Sequence, residues 1–280
     1  MESGVVKVKR ALIGMLAETS IHPGAESNTG VVDLPVAREA ATGYPLIPGS
    51  SMKGTLRTTA KELLGNAETE QIFGKIDNAG QVAITDARLL LLPIRSLTGH
   101  YRWVTCPYLI QRLQRDLALA GISVNLDVET PADNQAFTAT NGVLHLEELM
   151  LQGKARPELI ESLACLIKPL ILHKFVAEEL VHQLTIVSND RMKYFASYCL
   201  PVRARNVLNK ETKTSKNLWY EESLPPDTLL YTLLLHRPDI KGDLSKPLSI
   251  FTETPYLQVG GNETMGQGWC AISVYEEGGK

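Results

Sequence analysis

Residues 22–57 read HPGAESNTGVVDLPVAREAATGYPLIPGSSMKGTLR. Two of their side chains, those of His22 and Asp33, are of types that can transfer protons in catalysis. An imidazole titrates near neutral pH, and a carboxylate can accept a proton or hold a metal ion. A lone histidine is more often structural than catalytic, however, and an aspartate in a turn such as VVDLP often caps the main chain. The two residues by themselves leave both interpretations open.

The end of the same stretch has the features of a phosphate site. Gly49, Ser50 and Ser51 precede a predicted helix, in which a serine is expected to be the N-cap, and Lys53 and Arg57 lie four residues apart on one face. Free N–H groups at a helix start bind phosphate, and nearby cations strengthen that preference. The spacing does not match the GxxxxGK[ST] loop of nucleoside-triphosphate sites. The alternative is an ordinary capped helix with two solvated bases.

The segment between these two groups is a long loop. Residues 23–48 include four prolines and three glycines. Loops of this length in compact domains are usually functional or disordered. Disorder is disfavoured because VVDLPVA and YPLIP supply apolar side chains that can anchor the loop. A functional loop is therefore predicted.

The composition bounds the class of protein without giving its function. The chain has 280 residues, of which 44% are hydrophobic, so one large domain or two small ones can form a core. A net charge of −3 is not the basic balance of most nucleic-acid binders, so a polyanion site must come from local clustering or main-chain N–H groups. No signal peptide or membrane span is recognisable. The four cysteines form no CxxC pair, which disfavours structural zinc and favours a reducing cytoplasm.

The pattern of apolar residues predicts a mixed fold. Strands and helices follow each other without strict alternation, which is typical of the α+β class. The predicted strands cover 5–18, 81–93, 101–105, 143–151, 185–187, 202–206, 218–220 and 229–235, with two more in the tail around a glycine-rich loop. The predicted helices cover 50–65, 108–120, 156–172, 174–184 and 191–200.

A second basic cluster lies in the predicted hairpin, VRARNVLNKETKTSKNLWYEE. Residues 203–216 carry five bases against the single acid Glu211, a local charge of +4. Such a run is usually a solvated surface, but it also suits a ribbon that faces RNA. Trp219 and Tyr220 could stack on a base, although aromatic residues at a strand end are more often part of a core.

Together, these segments resemble a known family. VVDLPVAREAATGYPLIPGSSMKGTLR is similar to the N-terminal signature of the RAMP superfamily, and its DLPVARE form is closest to the repeated backbone subunit of type III-B (Cmr) CRISPR complexes. LQVGGNETMGQGW, at 257–269, matches the other hallmark of the family. SLTGHYRWVTCP and NLWYEESLPPDTLL also look like that subunit. The resemblance covers most of the chain.

The resemblance implies both a fold and an activity. The fold is a modified ferredoxin-like (RRM-like) domain with a hairpin thumb and insertions. It implies a single RAMP domain over 1–280, with a catalytic loop at about 20–49, a thumb-like hairpin at about 202–220 and a glycine-rich loop at about 257–269. Copies of the subunit would form a filament on CRISPR RNA with other Cmr-complex subunits and cleave complementary target RNA at regular intervals. The implied protein is a cytoplasmic, metal-dependent endoribonuclease that uses Mg²⁺ or Mn²⁺ and has no membrane partner.

The resemblance also assigns roles to residues. Asp33 matches the catalytic aspartate and the expected metal ligand, and His22 matches the histidine at the start of the catalytic loop. Either Glu221 or Glu222 would be a second acid. The positions expected to contact RNA are Arg38, Lys53, Arg57, Arg203, Arg205, Gly260, Gly261, Gly266 and Gly268. The glycine-rich loop is expected to lie beside the catalytic loop, with at least one glycine at positive φ.

Two alternatives stay open. The chain could be the equivalent subunit of a type III-A (Csm) complex, which has similar chemistry but different partners. It could also be a non-catalytic RAMP subunit that only binds RNA. Asp33 separates the last alternative from the others, because inactive relatives tend to lack an acid there.

Overall fold

The computed structural model describes residues 9–24, 32–240 and 242–275. The strands in this part of the chain are β1 (Arg10–Ala17), β2 (Leu46–Ile47), β3 (Gly74–Lys75), β4 (Asn78–Ala79), β5 (Val82–Ile84), β6 (Ala87–Arg95), β7 (Tyr101–Thr105), β8 (Gln135–Thr138), β9 (Gly142–Leu146), β10 (Leu149–Ala155), β11 (Leu184–Ile186), β12 (Val202–Leu208), β13 (Ser215–Glu222), β14 (Leu229–His236), β15 (Tyr256–Gln258) and β16 (Trp269–Tyr275). The helices are α1 (Gly49–Leu64), α2 (Asn66–Phe73), α3 (Pro107–Leu119), α4 (Pro157–Ile167), α5 (Lys174–Gln183), α6 (Asn189–Tyr198) and α7 (Ser245–Glu253).

One large mixed sheet organises the fold. Its strand order is β15-β16-β1-β14-β6-β7-β11-β8-β10-β9, with β2 beside β6 and β5 beside β14. The part β16-β1-β14-β6 is antiparallel throughout. With α1 between β1 and β6 and α7 between β14 and β16, it has the connectivity of a ferredoxin-like split βαβ unit. The predicted α+β class is confirmed.

Strand β1 is apolar along its length because both faces of the sheet are covered. Ala11, Ile13 and Met15 belong to one core cluster, which also contains the buried residues of α1 and α7. Leu12 and Leu16 belong to a second cluster on α3 and α4. A strand buried on both faces has no polar alternation to mark it, and its pattern is a continuous apolar run.

Several predicted elements match the structure closely. The prediction for 101–105 coincides with β7, and the helices predicted at 50–65, 108–120 and 174–184 correspond to α1, α3 and α5. The hairpin of β12 and β13 is also present, with longer strands than predicted.

Other predictions were wrong for identifiable reasons. The strand expected at 143–151 is the hairpin β9–β10, because Glu147 adopts a φ of 50° and reverses the chain. The strand expected at 81–93 is divided into β5 and β6. The helix expected at 156–172 ends at Ile167, and a 3-10 turn follows at Lys168–Leu170, which contains a proline. Helices α2 and α7 were not predicted.

The predicted serine cap of α1 was also wrong. The helix begins at Gly49 with Pro48 as its N-cap, and no side chain of the cap residue bonds to it. Instead, the carboxylate of Asp86 accepts a hydrogen bond from the Gly49 N–H across 2.7 Å. The Asp86 carboxylate is therefore bonded to one of the N–H groups that the sequence pattern predicted would bind phosphate.

None of the helices in the described ranges is both long and apolar enough to cross a membrane.

Candidate active site

His22 is buried at the start of the loop that follows β1. The main chain before it is fixed, since Ile21 exchanges two hydrogen bonds with Leu224 (3.0 and 2.8 Å). The imidazole Nδ1 is 2.7 Å from the main-chain carbonyl oxygen of Glu222. Because a carbonyl oxygen only accepts, Nδ1 must carry the proton and donate it.

Asp33 is exposed beside the end of the hairpin. Its Oδ2 accepts a hydrogen bond from the Tyr220 main-chain N–H at 2.8 Å. Leu34 continues the pairing: its N–H donates to the Tyr220 carbonyl (3.1 Å), and its carbonyl accepts from the Glu222 N–H (3.0 Å). The loop thus lies along β13, and no residue in the described ranges bonds the second oxygen of Asp33. One carboxylate oxygen fixes the loop and the other faces solvent.

The Glu222 side chain holds the next part of the loop. Its two oxygens accept hydrogen bonds from the Val36 main-chain N–H at 3.0 Å and from the Arg38 guanidinium at 2.7 Å. Arg38 also donates to the carbonyls of Gly43 and Ala196. The guanidinium expected to contact RNA therefore already has three acceptors in the protein.

Glu221 connects the hairpin to the glycine-rich loop. Its Oε1 accepts from Arg205 at 3.2 Å and from the Asn262 side-chain amide at 2.6 Å. Arg205 also donates to the sulfur of Met265 at 3.7 Å. Glu222 uses both carboxylate oxygens and Glu221 uses Oε1 for two bonds, and both residues are buried, whereas Asp33 is exposed.

The glycine-rich loop packs directly on the chain that carries His22. The N–H of Gly261 donates to the His22 carbonyl, and the N–H of Gly268 donates to the Ser20 carbonyl, both at 2.9 Å. Gly260 and Gly268 have φ of 88°, and Gly266 has φ of 74°. A Cβ on Gly260 would lie 2.6 Å from the His22 carbonyl oxygen. The expected position beside the catalytic loop and the expected positive φ are confirmed.

The basic residues expected to bind RNA do not all share one surface. On α1, the groove beside the glycine-rich loop is lined by Ser51, Gly54, Thr55, Thr58, Thr59, Glu62 and Leu63. Lys53 and Arg57 lie on a different side of the helix, and Arg57 donates to the Gly74 carbonyl at 2.6 Å. Arg203 is exposed on β12, whereas Arg205 is half-buried against Glu221.

The described residues contain no group of three or more His, Cys, Asp or Glu side chains arranged to hold a metal ion. The donor atoms explain this result, because Glu221 and Glu222 are engaged by Arg205 and Arg38. Asp33 contributes one free oxygen. That inventory fits an ion that takes one protein carboxylate and completes its shell with water and phosphate, as Mg²⁺ often does.

Sequence reasoning missed the main-chain N–H of Tyr220 and the side chains of Asn262 and Asp86. Tyr220 and Asp33 are separated by 187 positions. Nothing in a single sequence reports such a pairing, since a main-chain donor has no characteristic residue type. Asn262 carried a weak signal, because an asparagine within a glycine-rich loop often adopts the left-handed conformation that it has here (φ 64°).

The family is decided by comparison of the whole chain with known proteins. The family model described as RAMP superfamily matches residues 15–271. The chain belongs to the RAMP superfamily. Among its RAMP relatives, the chain is 34% identical to the CRISPR system Cmr endoribonuclease Cmr4 of Pyrococcus furiosus, over 96% of this chain and 97% of the relative.

Solved RAMP structures show the same fold. The crystal structure of oligomeric Cmr4 from Pyrococcus furiosus superposes with a TM-score of 0.78 at 28% identity, covering 96% of this chain and 100% of that one. A chain in the cryo-EM structure of type III-B Cmr-beta bound to cognate target RNA superposes with a TM-score of 0.76 at 20% identity, covering 96% and 98%. At 20% identity, the second comparison shows only that the two chains share a fold.

Proposed function

We propose that this RAMP protein is the repeated backbone subunit of a type III-B CRISPR ribonucleoprotein. Several copies stack along one CRISPR RNA with other subunits of the Cmr complex, and each copy cuts complementary target RNA. The relative that is 34% identical over almost the full length of both chains is named a Cmr endoribonuclease. The Cmr4 crystal structure with a TM-score of 0.78 is described as oligomeric, which supports assembly from copies.

The observation that carries the proposal is the position of Asp33. A solvent-facing carboxylate oxygen lies where the catalytic loop pairs with β13, and the other oxygen is held by the Tyr220 N–H. The contacts of Glu221 and Glu222 fix the neighbouring hairpin and glycine-rich loop. An anchored carboxylate with one free oxygen is suited to accept a proton from a substrate that binds at the surface.

The reaction uses the 2′-hydroxyl of the target RNA. Asp33 accepts the 2′-hydroxyl proton as the 2′ oxygen attacks the adjacent phosphorus, and the bond to the 5′ oxygen breaks. The products are a 2′,3′-cyclic phosphate and a 5′-hydroxyl, which takes its proton from solvent. The protein contributes mainly alignment of the attacking oxygen, the phosphorus and the leaving oxygen.

A Mg²⁺ or Mn²⁺ ion held by Asp33 and RNA phosphate oxygens would neutralise charge that develops on the phosphate. His22 acts differently. Its Nδ1–H is committed to the Glu222 carbonyl, and its ring is buried between Gly24 and Gly261. We assign it to positioning the loop, so His22→Ala should reduce cleavage less than Asp33→Ala.

The test is target cleavage by a complex reconstituted with guide RNA. A labelled complementary RNA should yield a ladder of regularly spaced fragments with Mg²⁺ or Mn²⁺, and Asp33→Ala should abolish the ladder while target binding persists. Binding without cleavage by the unmodified complex would instead assign an architectural role. Assembly with Csm rather than Cmr subunits would assign the chain to a type III-A complex.

A further inference from the structure

A groove of about 620 Å³ runs between α1 and the strands β15 and β16. One wall is formed by Ser51, Thr55 and Thr58 of α1. Tyr256 and Trp269 line the other wall. This volume falls in the range of pockets that bind small organic groups.

The aromatic wall has two rings on one face of the sheet. Gln258 pairs directly with Trp269 and Tyr256 pairs with Ala271, so Tyr256 and Trp269 are diagonal neighbours on the same face. They are 39% and 40% exposed. Within the described ranges, neither the Trp269 indole N–H nor the Tyr256 hydroxyl has a hydrogen-bond partner. Two large rings are thus presented to solvent with their polar groups free.

The main chain at Trp269 is held by hydrogen bonds that do not involve its indole. Its main-chain N–H donates to the Thr19 hydroxyl at 3.0 Å, and its carbonyl accepts from the N–H groups of Glu18 and Thr19. These bonds do not depend on the indole. The exposed ring is therefore available for a role other than packing.

The charge of the groove selects against phosphate. No lysine or arginine is among its lining residues in the described part of the chain, and Glu62 and Glu263 both line it. The hydroxyls of Ser51 and Thr55 face this space without a partner in those ranges, whereas Thr58 and Thr59 bond to helix carbonyls. Rings and hydroxyl groups without cations suit a base and its ribose better than a phosphate.

The groove adjoins the start of the loop that carries Asp33. Pro23, Gly24, Gly260 and Gly261 line the groove, and the Gly261 N–H is bonded to the His22 carbonyl.

We propose that the groove binds an unstacked base of single-stranded RNA, with Trp269 and Tyr256 as its stacking surfaces and the phosphates outside. This inference rests on the proposed function. A second protein copy is the competing occupant, but the RNA is favoured by the free polar groups and by the contact of the groove with the loop that carries Asp33.

The test compares the binding of two probes to the full-length chain. The probes are a fluorescein-labelled oligouridylate and an abasic ribose-phosphate oligomer of equal length and charge. Trp269→Ala should weaken oligouridylate binding about tenfold, leave abasic binding unchanged and leave the salt slope unchanged, because no phosphate contact is lost. Trp269→Phe should restore most of the affinity. Tyr198→Ala, which removes an exposed ring on α6 outside the groove, is the control.

Two further measurements separate the outcomes. Photocrosslinking of 4-thiouridine RNA to the unmodified chain should label the peptides that contain Tyr256 and Trp269. Because this measurement uses no variant, its result does not depend on how a variant folds. Unchanged affinity of Trp269→Ala, or labelling confined to other peptides, would overturn this inference and leave the proposed function standing. If Trp269→Ala changes the oligomeric state of the protein in the absence of RNA, the groove is a contact between copies. That result would also overturn this inference. Failure of the unmodified chain to bind RNA would overturn both proposals.

Discussion

His22 donates its Nδ1–H to the main-chain carbonyl of Glu222 across 2.7 Å, although the two residues are 200 positions apart. The same glutamate accepts from Val36 and Arg38 through its side chain. Glu222 therefore holds the loop on both sides of Asp33. The carboxylate of Asp33 is presented between these two attachment points, on a loop whose position the hairpin determines.

Asp33→Asn should separate catalysis from loop position. The amide oxygen can still accept the Tyr220 N–H, but it no longer accepts a proton and loses most metal affinity. We expect target cleavage to fall by about 10²–10⁴-fold with little change in the unfolding midpoint. Single-turnover cleavage and thermal unfolding measure the two effects. Asp77→Asn, in the exposed turn between β3 and β4, is the control, and wild-type cleavage by Asp33→Asn would remove Asp33 from the reaction.

Glu222→Ala should destabilise the protein more than the loss of a surface ion pair. It leaves the Val36 N–H without an acceptor, and the Arg38 guanidinium, whose side chain is 24% exposed, without its carboxylate partner. We expect a loss of about 3 kcal/mol in the free energy of unfolding by denaturant titration. Glu129→Ala removes the exposed partner of Arg156 and should cost about 0–1 kcal/mol. Equal losses in the two variants would mean that Glu222 does not hold the loop.

The glycines of the C-terminal loop should differ in their tolerance of alanine. Gly260→Ala combines a φ of 88° with a close approach to the His22 carbonyl, so it should cost more than about 1–2 kcal/mol. Gly266 also has a positive φ, but a Cβ there would meet no neighbouring atom. Gly266→Ala should therefore cost only the strain of the left-handed conformation, about 1–2 kcal/mol. At Gly261, φ is not positive and a Cβ would make an ordinary contact at 3.4 Å with the His22 ring. The loss of stability in denaturant unfolding and the loss of guide affinity should both be largest for Gly260→Ala, smaller for Gly266→Ala and smallest for Gly261→Ala.

Lys53 and Arg57 should affect RNA binding in different ways. Lys53 is exposed, so Lys53→Ala should lower the slope of log affinity against log salt by about 1 without changing stability. Arg57→Ala also removes the hydrogen bond to Gly74, with a loss of about 1 kcal/mol in stability. Guide binding over a salt series measures the slope, with Lys154→Ala on β10 as the control. An unchanged slope for Lys53→Ala would place that ammonium away from the RNA.

Asp227 should make stability depend on pH. Burial, with a smaller contribution from the charge of Glu18, raises the pKa of the Asp227 carboxyl. The folded state therefore favours the protonated acid, and its contribution to stability is full below the pKa of the unfolded chain and is lost as pH rises through the folded pKa. Asp227→Asn is neutral at every pH, and asparagine tolerates the φ of 65° at this position. Its thermal midpoint relative to the parent should rise from pH 4 to pH 7; a constant difference would contradict the shift.

Much of the fold could be predicted from local pattern. Strand β7 and helices α1 and α3 follow from apolar periodicity and from glycine and proline at their ends, which act within a few residues. The hairpin β9–β10 could not be predicted, because its turn depends on Glu147 in a conformation that its residue type does not indicate. Helix α7 has nine residues and contains a proline, so its sequence gives only a weak helical signal. Its apolar residues can be recognised as one face only when the helix is seen packed against the sheet.

The candidate site divides in a similar way. Local sequence was enough to identify the loop that carries His22 and Asp33, the glycines of the tail and the family resemblance, because these are features of neighbouring residues. The three-dimensional arrangement was needed to show that Glu221 and Glu222 are buried and bonded whereas Asp33 is exposed. Glu222 and Asp33 are both acids, but the Arg38 guanidinium and the Tyr220 N–H lie 184 and 187 positions from them along the chain. Hydrogen bonds between distant segments arise when the sheet brings those segments together, so the availability of each oxygen is a property of the fold.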